Sequence, residues 1–250
     1  MSDFKNFMQG LHKAAETFNE WAATIDWKAI HERMEYFSNE LPKDLEQESV
    51  KLMNRGWFIW FLDGMMPDFS EKMHSLVGKS DKEQDSYMRK YIEESLGDFE
   101  SELCNQYPSR DQQIKDAFRS HTGEIYYASI PTFLTLSEGI GRDLYPGVGI
   151  FAKQRPKSPK AGLPKTDDIF DSISCLDIFE ESVLKPLRVS SDVTRSIHSP
   201  TKDDERLFNR HLIMHGNSSS YGSKDNSLKA ISLTFFVHKS LEHLKNKVST

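Results

Sequence analysis

Residues 80–104 read SDKEQDSYMRKYIEESLGDFESELC, and the reading of this stretch decides the fold class. Tyr87, Tyr91 with its neighbour Ile92, Leu96 and Phe99 recur at three- to five-residue steps among charged residues, the pattern of an amphipathic helix. A strand would alternate apolar and polar residues, and that alternation barely surfaces in this chain. Upstream, Phe4, Met8, Leu11, Ala15 and Phe18 make one helical stripe, and Trp27, Ile30, Met34 and Phe37 another. Pro42 marks a break. Asp44, with Gln47 three residues on, can cap a helix over 44–62 that Pro67 ends. Downstream, Pro108 and Ser109 open a helix over 110–121, and Ile130, Phe133, Leu134, Leu136, Ile140 and Leu144 mark a buried one over 125–144. Further helices are expected over 168–185, stopped by Pro186, over 201–215, and over 226–247 with Asp225 or Asn226 as N-cap. The Asp203-Asp204-Glu205 run would favour the dipole in the first turn of the second of these. The expected fold is all-α, with an acidic helical region over 1–124 and a helical domain over 125–250.

Composition bounds what such a chain can be. With 37% hydrophobic and 28% charged residues it is ordinary for a folded protein, which excludes global disorder. The longest strongly apolar run, Trp57 to Leu62, is too short to span a bilayer; Trp57, Phe58, Trp60 and Phe61 read instead as a buried cluster. The start, Met-Ser-Asp-Phe-Lys, lacks an apolar core, so no secretory signal is expected. Cys104 and Cys175 stand far apart with no CxxC spacing, which argues against a disulfide framework and for a cytoplasmic protein.

The net charge of −6 is unevenly spread. Residues 1–144 hold 16 Lys+Arg against 26 Asp+Glu, and residues 145–250 hold 16 against 12. Contact with an anionic partner is therefore expected in the second part. Within it, residues 145–167 form a Pro/Gly-rich loop carrying Lys153, Arg155, Lys157, Lys160 and Lys165, with no acid before Asp167. The loop is either a solvated linker or a strap that grips phosphates.

The chemistry-bearing segment is Asn209-Arg210-His211-Leu212-Ile213-Met214-His215-Gly216. Phe208, His211, Leu212 and His215 share one helical face, and Gly216 suits the position just after a helix end. Arg210 stands about 140° from His215 around an ideal helix. The two converge on one substrate only by flanking a groove or by meeting a second chain.

This segment, Arg-x4-His with His211 after the arginine, resembles the signature of the HEPN superfamily of helical domains. Tyr221-Gly222, Asn226 to Ile231 and Ser137 to Ile140 are similar to segments of a group of uncharacterised bacterial HEPN-like proteins. The resemblance covers about residues 125–247. It implies a HEPN-like bundle in the C-terminal half and a metal-independent endoribonuclease without a cofactor, a phage-defence or toxin effector. It also implies RNA as substrate, a homodimer, and an antitoxin or regulatory partner. Arg210, His215 and His211 would be catalytic, with Asn209, Tyr221, Lys229 and Glu138 as candidates for contacting substrate or orienting the imidazoles; Lys153, Arg155 and Lys157 join the substrate contacts only through the phosphate-gripping reading of the basic loop.

The residue types fit that chemistry. An imidazole titrates near neutrality and can take or return a proton, and a guanidinium offers a fixed, charged fork to phosphoryl oxygens. His215 is expected to be the main acid/base, Arg210 the phosphate clamp, and His211 a second proton carrier or an orienting partner. Three other readings stand beside this one: satisfied structural histidines, a catalytically inactive helical RNA-, nucleotide- or protein-binding module, and a zinc pair from His-x3-His. The last lacks the glutamate of HExxH, because position 212 is Leu. His238 and His243 read as structural or surface residues.

Overall fold

The computed structural model describes residue 13, residues 24–60, 66–201, 204 and 207–248, and of residues 66–70 the backbone alone. Among these residues there are nine α-helices and no strand, so the fold is all-α. No described helix is long and apolar enough to cross a membrane. The chain divides into two compact units, Met1–Lys43 and Asp44–Thr250.

In the first unit, α1 (Trp27–Glu35) is capped by Asp26, whose side chain accepts from the Ala29 N–H at 2.9 Å. It runs into a π-helical turn, Tyr36–Glu40. Its predicted apolar face is open: Trp27 and Met34 are 58% and 64% exposed. The stripe expected over Phe4 to Phe18 lies outside the described residues.

The helix expected over 44–62 is shorter and starts earlier. α2 spans Leu41–Asn54 and takes Pro42 into its first turn, where no intrahelical N–H is required. It stops at Gly56 (φ +91°), with Gly56 N–H donating to the Met53 carbonyl and Trp57 N–H to that of Leu52, the Schellman pattern. A Cβ on Gly56 would come within 2.9 Å of the Phe208 ring. Trp57 to Trp60 then run as non-helical, fully buried chain, each at most 5% exposed. That agrees with a buried cluster, although Phe61 is not among the described residues. Pro67 opens α3 (Met66–Leu76) instead of ending a helix.

α4 (Asp81–Gln106) begins with a full capping box between Ser80 and Glu83. Its buried stripe runs through Gln84, Met88, Ile92, Phe99 and Leu103. Tyr87 and Tyr91 lie at the edge of that stripe, stacked on one another, with the Lys72 ammonium over the Tyr91 ring. α5 (Asp111–Thr122) and α6 (Tyr126–Leu144) follow as expected. The division expected at 124/125 falls in the turn between them, inside the second unit, where they pack together.

The centre of this unit is α9 (Lys224–Val248), buried nearly all round from Leu228 to Leu244. A helix covered on every side belongs to the interior of its domain. α6 lies closely against it through small hydroxyl residues: Ser129 meets Ser227 at 2.8 Å and Ser137 meets Thr234 at 2.9 Å. His121 of α5 joins through its Nδ1, 2.7 Å from Ser227 Oγ. α9 is capped by Ser223, which accepts from the Asn226 N–H. Asp225, one of the expected caps, instead takes a two-pronged ion pair from Arg89.

Two helices expected in the second half are largely replaced. Residues 165–172 form a 3-10 helix, and only Ile178–Leu184 (α7) is α-helical, opened by an Asp177/Glu180 capping box. The helix expected over 201–215 shrinks to α8, Arg210–Met214. Asp204 accepts from the Thr201 N–H in a local turn well before it, while Asp203 and Glu205 lie outside the described residues.

Candidate active site

α8 holds the Arg-x4-His segment, and its start is built by Asn209. That side chain is fully buried, and its Oδ1 accepts from the Leu212 N–H at 3.0 Å. Its amide nitrogen donates to the carbonyls of Asp192 and Arg195, at 2.5 and 2.9 Å. The Arg210 N–H donates to Val193 O at 2.9 Å, so the 191–195 loop and α8 are tied together. Phe208, Leu212 and Ile213 anchor the segment in the core. At the other end His215 is the C-cap, and Gly216 (φ +71°) and Asn217 donate to Ile213 and Leu212 carbonyls in a second Schellman ending. Gly216 therefore sits where its reading as a helix terminator put it.

The side chains gather around His211. Its ring lies 4.4 Å from the His215 ring and 5.1 Å from that of His198, centroid to centroid. His198 comes from the loop before α8 and is exposed; it was not legible as a partner, because contact across a loop has no sequence period. Arg210 lays its guanidinium 5.0 Å from the centre of the Phe151 ring. Burial and the neighbouring charges of His215, His198 and Arg210 hold the His211 imidazolium below the usual histidine range. His211 is thus neutral at pH 7, and its Nδ1 is buried with no hydrogen-bond partner among the described residues. None of Arg210, His198, His211 or His215 has a carboxylate partner among the described residues. With the Arg210 guanidinium beside them, these rings can hold an anion and exchange protons with it.

The other predicted residues fall into distinct places. Glu138 accepts from Arg142 at 2.8 Å and from the Phe151 N–H at 3.3 Å, so it fixes the loop whose aromatic ring carries Arg210. Asn209 spends its polar capacity on the cap and the 191–195 loop. Tyr221 serves α6: Pro131 has no N–H to offer the Tyr127 carbonyl one turn back, and the Tyr221 hydroxyl donates to that oxygen at 3.2 Å. Gly222 permits this, since a Cβ there would stand 2.3 Å from the Tyr127 ring. Lys229 lies over the Trp57 ring among Asp85, Asp225, Arg89 and Arg55, its ammonium pushed below the usual lysine range by burial. No contact joins Lys229 to the imidazoles.

The basic loop splits in two. Lys160 pairs with Asp167 and Asp171, and Lys165 with Asp168. Burial raises the Asp167 pKa, but hydrogen bonds from Lys160 and Arg188 outweigh it and hold the carboxyl below its ordinary value. Lys153, Arg155 and Lys157 are exposed and have no carboxylate partner among the described residues. If the chain binds RNA through this loop, neutralising these three together is expected to flatten the salt dependence of that affinity by about 0.7 in log–log slope per lost phosphate contact on a single strand. Neutralising Lys160 and Lys165 should instead lower the melting temperature. Binding titrations across salt concentrations check both, and an unchanged slope in the triple variant would make the loop a linker.

His243 contacts Glu180 at 2.8 Å, and His238 is buried between Tyr107 and Glu102. The described group with metal-ligand spacing is Glu102, His238 and Glu242, and it includes neither His211 nor His215. Comparison with family models, with curated proteins and with solved structures finds no match to this chain.

Proposed function

We propose that the Arg210, His198, His211 and His215 cluster cleaves RNA without a metal, as a HEPN-type endoribonuclease of a defence or toxin system. One observation carries this reading: the His211 ring lies beside those of His198 and His215 and within the field of the Arg210 charge, with no carboxylate among the described residues to neutralise them. The neutral His211 suits a proton acceptor. It would take the proton of a ribose 2′-OH as that oxygen attacks the adjacent phosphorus. The phosphorus–O5′ bond breaks, and an imidazolium, His215 in this assignment, gives its proton to the departing O5′. The products are a 2′,3′-cyclic phosphate and a 5′-OH. Arg210 stabilises the charge on the phosphoryl oxygens, and Phe151, held by Glu138, sets its position.

The reading includes a homodimer, in which a second chain completes the groove around each phosphate. A binding module that holds RNA or nucleotide and leaves it intact is the competing reading.

The test is incubation of the purified chain with mixed RNA in EDTA, followed by analysis of the product ends. Cleavage should survive chelation and leave cyclic phosphates. Its rate should stay high from pH 7 into mildly acidic solution and drop once His211 is protonated, below the usual histidine range because that group is shifted down. Loss of all cleavage in EDTA, restored by zinc or magnesium, would overturn the metal-free mechanism. Binding without cleavage at any pH would favour the module.

A further inference from the structure

We propose that Glu102, His238 and Glu242 form a binding site for a divalent first-row transition metal, Zn2+ in the first instance, which ties α4 to α9. The site shares no residue with the imidazole cluster and does not depend on the ribonuclease reading.

The argument begins with His238. It is 1% exposed, in the middle of the most buried helix, yet its Nε2 lies beside two partly exposed carboxylates. Glu102 arrives from the last turn of α4, and Glu242 from one turn further along α9. Their side chains are 39% and 33% exposed. A buried imidazole flanked by two partly hydrated carboxylates offers one nitrogen and two oxygens, a donor set suited to zinc and its neighbours.

The spacing fits before any rearrangement. Tetrahedral ligands about 2.0–2.1 Å from zinc stand roughly 3.4 Å apart. His238 Nε2 is 3.1 Å from Glu102 Oε1 and 3.8 Å from Glu242 Oε2, and all three ligand atoms lie within 4.8 Å of one another. Protein ligands would fill three positions, leaving the exposed side for water.

Metal-binding imidazoles are held by a hydrogen bond on the other ring nitrogen, and here Tyr107 Oη is 2.9 Å from Nδ1. Tyr107 is itself buried. Without metal, the phenol donates to Nδ1, and Nε2–H donates to Glu102. With metal on Nε2, the ring proton moves to Nδ1 and donates to the phenol oxygen.

Two neighbours compete. Lys239 Nζ is 2.8 Å from Glu102 Oε1, and the Gln106 amide donates to Glu242 Oε1 at 3.0 Å. The metal would displace the ammonium from that oxygen. This gives the proposal a sign that a purely structural His–Glu contact does not share: removing the lysine charge should tighten metal binding.

Calorimetric titration of the full chain with Zn2+, and separately with Mn2+ and Mg2+, tests this. One equivalent of Zn2+ should bind more tightly than Mn2+, and Mg2+ should give no comparable signal. Glu102→Gln with Glu242→Gln should weaken Zn2+ by at least about tenfold, as should Tyr107→Phe, given what lost outer-shell partners cost. Lys239→Gln should tighten it. His211→Ala with His215→Ala should leave it unchanged. If the double glutamine variant loses its helical circular dichroism, the single Glu242→Gln carries the comparison. The proposal is overturned if no Zn2+ binds, or if binding survives loss of the glutamates. It is equally overturned if binding disappears with His211 and His215.

Discussion

On the proposed ribonuclease reading, Arg210→Ala and His215→Ala are each expected to lower RNA cleavage by roughly 10²–10⁴-fold, the range of a lost acid/base group or oxyanion donor, and to leave the melting temperature nearly unchanged. The structure separates these two effects. His215 is exposed, and Arg210 is half-buried on one aromatic ring, so neither anchors the core. Leu212, Ile213 and Phe208 do that, and they remain. His211→Ala should be milder than His215→Ala if His215 or His198 can take over proton transfer. Equal loss would make both rings obligatory. Mixing Arg210→Ala chains with His215→Ala chains tests the shared groove, because some mixed dimers hold an intact Arg and an intact His on opposite subunits. Partial recovery supports it. If both single variants melt far below the parent with proportionate loss of cleavage, the cluster is structural and the ribonuclease reading fails.

Asn209→Ala should produce the largest loss of stability among the residues around the motif. The substitution removes an N-cap, worth about 1 kcal/mol. It also strips two backbone carbonyls of their donor, at about 1–3 kcal/mol each where water cannot replace it. A loss of about 3 kcal/mol lowers the melting temperature of a domain this size by on the order of 10 °C. Cleavage measured well below that temperature should then fall far less than in Arg210→Ala. Thermal unfolding followed by circular dichroism gives the first number, and a parallel cleavage assay the second. Parent-like melting with abolished cleavage would return Asn209 to the substrate side of the site.

The motif and its surroundings show what kind of information a chain carries openly. Arg210, His211 and His215 were legible because their spacing is local. Gly216 was legible because a helix end needs a residue that tolerates positive φ. The fifteen-residue helix expected around them was not, since α8 is only five residues long. Asn209 is as good a cap as the acidic residues before it, and only its burial against Asp192 and Arg195 decides the start. The family resemblance groups Tyr221 with the site, whereas its task in the structure is set by Pro131, some ninety positions earlier. The five cations of the basic loop looked equivalent. Three carboxylates brought in by the following 3-10 helix neutralise two of them.

The sequence by itself determined the all-α class, the extents of α4, α5, α6 and α9 to within a few residues, and the Gly216 stop. These follow from the helical period and from backbone preference, which act over a few residues and need no distant partner. Tertiary structure alone decided where α2 and α8 are cut and which face of α4 is buried. It also brought His198 to His211, and Glu102 to His238 and Glu242. Each of these turns on contacts between positions far apart in the chain or on the competition between two adequate local signals. Burial settles such competition, because an unpaired polar group or an exposed apolar face costs more than the small difference between one cap or register and the next.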